Sequence, residues 1–577
     1  APLGLLLIAR TGEVEDNEAS TSLLRGIRRV IAPSELELRP LSFEETTELI
    51  GETEADPRAI WEASAGNPLY ALELARALDQ GGESGSLARV VRERITRLPA
   101  AAGDLLRWGS VLGHTFAVSR LETLSSLGTK ELIEALEGLE VHALVRSDSA
   151  SSGTRYTFSH DLVREFVYGE MSQPRRRLMH RRVARLLAPE LPDPVVATEL
   201  VRHASLGGEA SLGVKACIEA GHDALRTFAN ADAHAFSRRG LDLVDELSEE
   251  DRISASLDLL HIQFSARTPD RESAAERVQK LAERALDLDL TREARLGFQM
   301  LSFLRWESNS LADAHANILQ AERVSQIAEP EERATALANA ARCFVLLERN
   351  MDQAEAFVLE ANLLSKRGAK ETSVVPFAAA MLKAHRGEIE DAIKGFRDAR
   401  WLGRAQGDRL AEFRAVHQWT MAEIDRDNHA TALELATQLV SLGQRVREGV
   451  EGPASRALLA LVRLMAGKSD GDAEFDDALR QLRAADAKYD LAFVLTRRAL
   501  YEVRREKMEK AASFLDEALE CATAIGRPSE IALARALSVA AGKPGDSTQA
   551  KNLAVLKEID RDQLSAVARE RLSELGL

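Results

Sequence analysis

A chain of 577 residues is too long for one hydrophobic core, so several units or a repeat array are expected. Hydrophobic residues at 45%, charged residues at 29% and aromatics at only 5% describe a water-soluble, helix-rich protein. The formal net charge of −16 opposes a general affinity for nucleic-acid phosphates. Cys217, Cys343 and Cys521 stand far apart, which excludes a disulfide framework and local metal spacing and makes a reducing cytoplasm the expected location. No apolar run approaches the roughly 18–20 residues that span a bilayer, so no membrane partner is expected.

The chain opens on Leu3-Gly-Leu-Leu-Leu-Ile-Ala9, a continuous apolar run of the kind found in a strand buried on both faces, ending at Arg10. A lone strand is no sheet, and the chain starts on Ala within it, so a fragment of a longer protein is expected. Ligands of open α/β sheets gather at such strand ends, and a solvated arginine there is the bland alternative. Ser42-Phe-Glu-Glu45 has the spacing of a capping box. Asp56-Pro57 opens a second helix, and Gly66-Asn-Pro-Leu69 forms a junction in which Gly66 ends that helix, Asn67 caps the next and Pro68 begins it. Read by itself, this is a well-made corner between two helices.

Between Leu87 and Ala188 the pattern changes. Helices are predicted at Leu87–Arg97, Pro99–Leu112 and Thr129–Val141, followed by short strands at Leu144–Ser147 and Arg155–Phe158. The Ser- and Gly-rich stretch Asp148–Gly153 between the strands reads as a flexible loop. Three helices and a hairpin make a winged helix. Ser159 can cap the following helix, leaving His160 in its first turn, where an anion would offset the helix dipole. Arg175, Arg176, Arg177, Arg181, Arg182 and Arg185 cluster on the next helix. They admit a DNA-binding reading, but the acidic balance favours arginines that pair within the protein, and no direct DNA binding is expected.

From about residue 195 onward helix-sized segments alternate with short turns. Leu311-Ala-Asp-Ala314, Met351-Asp-Gln-Ala354, Ile389-Glu-Asp-Ala392, His429-Ala-Thr-Ala432 and Met508-Glu-Lys-Ala511 place an alanine at matched positions; the first three steps are 40, 38 and 40 residues. The gap to Ala511 leaves room for one further unit near Ala473–Ala478. Such a period marks an α-solenoid, whose concave face ordinarily takes a partner. Phe344, Phe357, Phe396, Trp401 and Leu433 are expected to fill the space between helices. The array is similar to tetratricopeptide repeats of the longer kind, with HEAT-like or irregular hairpins as the alternative.

Three of these motifs, in this order, resemble the STAND class of signal-transduction ATPases, which includes the MalT-like regulators and the NLR immune receptors. Leu5-Leu-Leu-Ile-Ala-Arg10 is similar to the sensor-1 strand, Gly66-Asn-Pro-Leu69 to the Gly-x-Pro motif of the helical lid, and Phe158-Ser-His-Asp-Leu-Val163 to the winged-helix motif that carries a nucleotide-contacting histidine. The resemblance covers roughly residues 1–190. It implies ATP or ADP as cofactor, with Arg10 sensing the γ-phosphate, Gly66, Asn67 and Pro68 as nucleotide-binding residues of which Pro68 packs on the adenine, and His160 on the β-phosphate of ADP. No Gly-x-x-x-x-Gly-Lys-Ser/Thr loop and no Walker B strand occur in the chain. The phosphate cradle and any magnesium ligands are thus expected upstream or lost, and this chain alone should not catalyse hydrolysis.

The expected fold is therefore mainly α. A remnant strand of an α/β NTPase core occupies 1–40, a helical lid 41–86, a winged helix 87–190 and a solenoid of tetratricopeptide-like hairpins 195–577. The expected function is the regulatory and sensor part of an ATP/ADP-dependent switch controlling transcription or another output. A protein or small-molecule inducer would sit on the concave face, with oligomerisation on activation. The alternative is a nucleotide-independent scaffold for protein partners.

Overall fold

The computed structural model describes residues 39–53, 56–64, 66–68, 71–72, 74–75, 95–142, 144–150, 153–159, 161–266, 270–308, 310–366, 371–446, 449–468, 472–542 and 547–577. The predicted strand at Leu3–Ala9 and the predicted helix at Leu87–Arg97, save its last three residues, lie outside them. The chain divides into two compact units, Ala1–Ala216 and Cys217–Leu577. No helix among the described residues is long and apolar enough to cross a membrane.

In the first unit the helix Phe43–Ile50 is closed by the capping box its sequence announces. Ser42 Oγ accepts from the Glu45 amide at 3.2 Å, and the Glu45 carboxylate accepts from the Ser42 amide at 2.8 Å. Helices Ala100–Leu112 and Thr129–Val141 lie where the periodicity puts them. Three antiparallel strands, β1 (Thr115–Ala117), β2 (Val145–Ala150) and β3 (Gly153–Phe158), form a sheet in the order β1-β3-β2. Two features differ from the expectation. The stretch read as a flexible loop is largely strand: Asp148 faces Arg155, Ser149 faces Thr154 and Ala150 faces Gly153. Ladder hydrogen bonds belong to the backbone, so a run of Asp and Ser does not stop the pairing. The strand β1 and the helix Val118–Leu124 after it are too short for a periodic signal. They are held by tertiary contact, with the Phe116 ring edge-on to Phe158 at 5.6 Å.

The second unit begins within the helix Ala210–Arg226 and is an α-solenoid of tetratricopeptide-like hairpins. The second helices of successive hairpins start at Leu311, Met351, Ile389, His429, Asp472, Met508 and Ser547. Ala314, Ala354, Ala392, Ala432 and Ala511 each stand fourth in such a helix, and each is fully buried at 0% exposure. Alanine there lets paired helices approach closely. The hairpin whose second helix is Asp472–Ala484 departs from the rule and puts Phe475, 1% exposed, in that position. The Phe475 ring lies under the buried Arg498 guanidinium at 4.9 Å and meets Phe514 edge-on at 6.1 Å. Phe344, Phe357 and Phe396 are buried between helices as expected, but Trp401 is not. It is 68% exposed on the outward side of Ile389–Gln406, whose inner stripe is filled by Ala392, Ile393, Phe396 and Ala399.

The array also turns back on itself. Glu348 meets Arg527 and Ser529, about 180 positions along the chain. Asp427 pairs with Arg504 and Arg571, each at 3.0 Å. Trp306 and Tyr489 rings lie 5.8 Å apart, and Asn230 donates to the Arg445 carbonyl at 3.0 Å. A solenoid that contacts itself at this distance in sequence encloses its inner face.

Candidate functional site

Of the residues the sequence nominates for nucleotide, Arg10 and His160 lie outside the described residues, and Gly66, Asn67 and Pro68 lie within them. Gly66 is buried in a left-handed conformation, φ 71°. Its carbonyl accepts from the Leu41 amide at 2.7 Å, and Trp61 Nε1 donates to the Leu41 carbonyl at 3.0 Å. A β-carbon at Gly66 would fall 2.4 Å from the Leu41 oxygen, so the glycine is required by this close crossing. The Asn67 carbonyl accepts from the Ala71 amide at 3.0 Å and begins the next helix, and Asn67 and Pro68 are both exposed.

The arginine stripe of Gln173–Leu187 is engaged within the first unit. Arg175 reaches Asp104 at 3.3 Å, and Arg181 and Arg185 share Glu209 at 3.1 and 2.9 Å. Arg176 donates to the carbonyls of Met171 and Gly169, and Arg182 lies over Trp108 at 5.1 Å. Beneath them His180 and His203 meet through their Nδ1 atoms at 2.9 Å, and Tyr168 Oη sits 2.8 Å from His180 Nε2. Burial drives both imidazoles down, to about 4 for His180 and about 3 for His203, so the pair is neutral and one ring donates to the other.

The second unit holds two adjoining cavities, of about 180 and 560 Å³, that share Gln299, Phe303, Asn339, Arg342, Phe377 and Arg414 as walls. The shared residues come from the helices Thr291–Glu307, Pro330–Leu347, Val374–Arg386 and Arg409–Asp425, each the first of its hairpin. First helices face inward because the second helices cover their outer sides, so the self-contact of the array turns this inner surface into a chamber. The smaller cavity is walled by aromatic groups, among them Phe303, Trp306, Phe413 and Tyr489. Gln418 reaches Tyr489 Oη at 3.2 Å, and His417 holds Asp490 at 2.8 Å.

The charge on the two walls differs. The larger cavity is bordered by Arg226, Arg295, Arg342, Arg409 and Arg414, with Asp408 as its carboxylate. Arg226 pairs with Asp223 at 3.0 Å, Arg409 with Glu412 at 2.9 Å and Arg295 with Glu332 at 3.5 Å. Arg414 lies over the Phe303 ring at 5.2 Å. Arg342 has no hydrogen-bond or ion-pair partner among the described residues, and its Nε is buried. Burial, together with the nearby Arg414 charge, brings its guanidinium down to about 9, which still leaves it a cation at neutral pH. The smaller cavity, which Arg342 and Arg414 also border, adds Glu307, Glu451, Asp486 and Asp490 against Lys488. A concave, mostly apolar chamber with a few converging polar groups is the form of a small-ligand site.

The sequence reading missed this chamber, although a signal was present. Asn339 and Arg342 interrupt an otherwise apolar face in Ala334–Leu347, with Ala340, Ala341, Cys343 and Phe344 about them. A polar residue on the buried stripe of a helix points to an interior polar site, and the repeat period drew attention to the second helices instead.

The chain matches no family model. An uncharacterized protein of Rhizobium meliloti (strain 1021) is 24% identical over 249 residues, a stretch that covers 39% of this chain and 24% of that relative. The chain thus matches about a quarter of the relative's length. Among solved structures, the chain is similar to a Signal Transduction ATPase with Numerous Domains (STAND) protein with a tetratricopeptide repeat sensor from Pyrococcus horikoshii. The TM-score is 0.38 at 16% identity, covering 83% of this chain and 76% of that one. It is also similar to a Rap protein complexed with competence and sporulation factor, with a TM-score of 0.34 at 11% identity, over 63% of this chain and 93% of that one. Likeness at this level bears on neither ligand nor activity.

Proposed function

We propose that this chain is the sensing and regulatory part of a STAND-type ATP/ADP switch, in which the solenoid captures an inducer and the lid and winged-helix segments hold ADP in the resting state. The observation that carries the sensing half is the chamber: four first helices converge on it, and residues far apart in sequence, such as Trp306 and Tyr489, wall the same space. A ligand that touches several hairpins at once stabilises one curvature of the array over another, and an equilibrium shifts by the difference in affinity for the two states. The nucleotide half rests on the order of the motifs at Arg10, Gly66–Pro68 and His160 in the sequence.

ADP retention tests it. Expressed from its full reading frame, the wild-type protein should copurify with or retain ADP, and His160→Ala and Pro68→Ala should lose it at least ten-fold. Equal retention in the variants removes those residues from a nucleotide site. The second reading, a nucleotide-independent scaffold, is favoured by Trp401, Leu363 and Leu359, which are 68%, 61% and 60% exposed on the outer helices. Partner capture that is indifferent to ADP, and is lost in Trp401→Ser, would select it.

A further inference from the structure

Arg342 borders the larger cavity with no hydrogen-bond or ion-pair acceptor among the described residues. Arg342 is part-buried with its Nε fully buried, and a desolvated cation without a partner is costly, so a fold ordinarily pairs or neutralises it. Here a second guanidinium, that of Arg414, borders the same two cavities. Asp408 contributes to the field at Arg342, but its carboxylate accepts from the Ala411 amide at 2.9 Å as the cap of the Arg409–Asp425 helix and makes no ion pair with Arg342. Asn339 sits one turn before Arg342. It spends an amide hydrogen on the Thr335 carbonyl at 3.1 Å, which leaves its oxygen to accept from a ligand. Of the arginines on this wall, Arg226, Arg295 and Arg409 are offset by Asp223, Glu332 and Glu412, and the charge left without an ion pair among the described residues is that of Arg342.

We propose that the chamber takes a small amphipathic ligand through a compact oxyanion, a carboxylate or a phosphate, which seats on Arg342 with Arg414 as the second cation, while the apolar part of the ligand runs toward Phe303, Phe377 and Trp306. Away from the shared arginines the smaller cavity is acidic, Glu307, Glu451, Asp486 and Asp490 standing against Lys488, which disfavours a second anion there and so fixes the direction in which the ligand lies. A planar guanidinium offers two parallel donors to either oxyanion, which a lysine does not. The inference deepens the sensor reading by naming the chemical class of the inducer, and it rests on that reading only for the link to nucleotide.

The test uses the full chain and three probes of similar bulk: phenylacetate, phenyl phosphate and the neutral phenylethanol. Thermal shift and titration calorimetry should show binding of at least one anionic probe and weaker or no binding of phenylethanol. The stronger of the two anions distinguishes carboxylate from phosphate. Arg342→Gln should weaken the anion ten-fold or more, and Arg342→Lys should recover part of it. Without any probe Arg342→Met should raise Tm, since it removes a desolvated cation beside Arg414. Equal binding of phenylethanol, no binding of either anion, unchanged affinity in Arg342→Gln, or a fall in Tm for Arg342→Met would each overturn the proposal. Anion binding that depends on Arg342 but leaves ADP retention unmoved would uphold the site and remove its coupling to a switch.

Discussion

The Glu348 carboxylate accepts from Arg527 Nε at 2.9 Å and from the Ser529 amide at 2.7 Å, tying the end of the Pro330–Leu347 helix to the start of Pro528–Ala541. Glu348 adopts a left-handed backbone, φ 52°, where a turn of this kind ordinarily calls for glycine. The conformation costs about 1–2 kcal/mol for a residue with a β-carbon, and the side chain that brings the cost is the one that fastens the array. Asp427, φ 58°, shows the same trade through Arg504 and Arg571.

Breaking that fastening is expected to be expensive. Glu348→Ala takes from Arg527, part-buried over Tyr489, the carboxylate it donates to, leaving Glu530 as its nearby counter-charge, and should cost up to about 3 kcal/mol in urea unfolding. Glu348→Gly should cost about 1 kcal/mol less than Glu348→Ala, because it relieves the backbone. The double variant with Arg527→Met should cost less than the sum of the two single changes. Simple additivity would show that the two groups do not act as a pair.

Solenoids usually unfold by nearest-neighbour steps. Contacts between distant hairpins make each end depend on the other, so the second unit should melt in one transition in the wild type. Glu348→Ala should separate it into two, as read by calorimetry. A single unchanged transition in the variant would count against this coupling.

The repeat alanines set the helix spacing. Ala432→Leu should destabilise by about 1–3 kcal/mol through overpacking, while Ala430→Leu, on the exposed side of the same helix, should stay within about 0.5 kcal/mol. At the equivalent place in the exceptional hairpin the sign of the size rule reverses. Phe475→Ala should cost about 3–5 kcal/mol and strip Arg498 of a ring contact.

Gly66→Ala should cost more than about 1 kcal/mol, since the new methyl meets the Leu41 carbonyl and the backbone is left-handed. Hydrogen exchange at the Leu41 amide reads this directly. Unchanged protection there would show that the crossing yields without loss.

The His180–His203 pair gives the first unit a pH dependence. Both folded values lie below the unfolded value near 6.5, so the unfolded chain binds more protons as pH falls. The pair's contribution is whole above 6.5, declines as pH falls from 6.5 to about 3, and levels off below. Thermal melts of the wild type should fall across that window, and His180→Leu with His203→Leu should flatten the curve. An equal slope in the double variant would assign the acid sensitivity to other groups.

The hairpin array was legible because Ala314, Ala354, Ala392 and Ala432 repeat a local packing demand at a nearly constant interval. One hairpin was obscured where Phe475 replaces alanine. The self-contact of the array was not legible, since periodicity reports the nearest neighbour and Glu348 and Arg527 are joined only by the accumulated curvature of several hairpins. The turns were half legible. Gly387 and Gly467 mark left-handed positions, but Glu348, Asp427 and Glu506 hide the same geometry behind residues that rarely adopt it. The chamber escaped for a related reason: Arg342 and Arg414 are remote in sequence and meet only after the helices are laid side by side.

Cys343 borders the smaller cavity, and burial pushes its thiol up to about 11; Cys217 and Cys521, buried elsewhere in the same unit, stand at about 12 and about 11. Alkylating reagents attack the thiolate, so at neutral pH all three sulfurs are nearly inert while the helices stay together. The protein therefore carries its own gauge of breathing: the rate at which a maleimide consumes Cys343 times the loosening of the inner wall, with no residue changed.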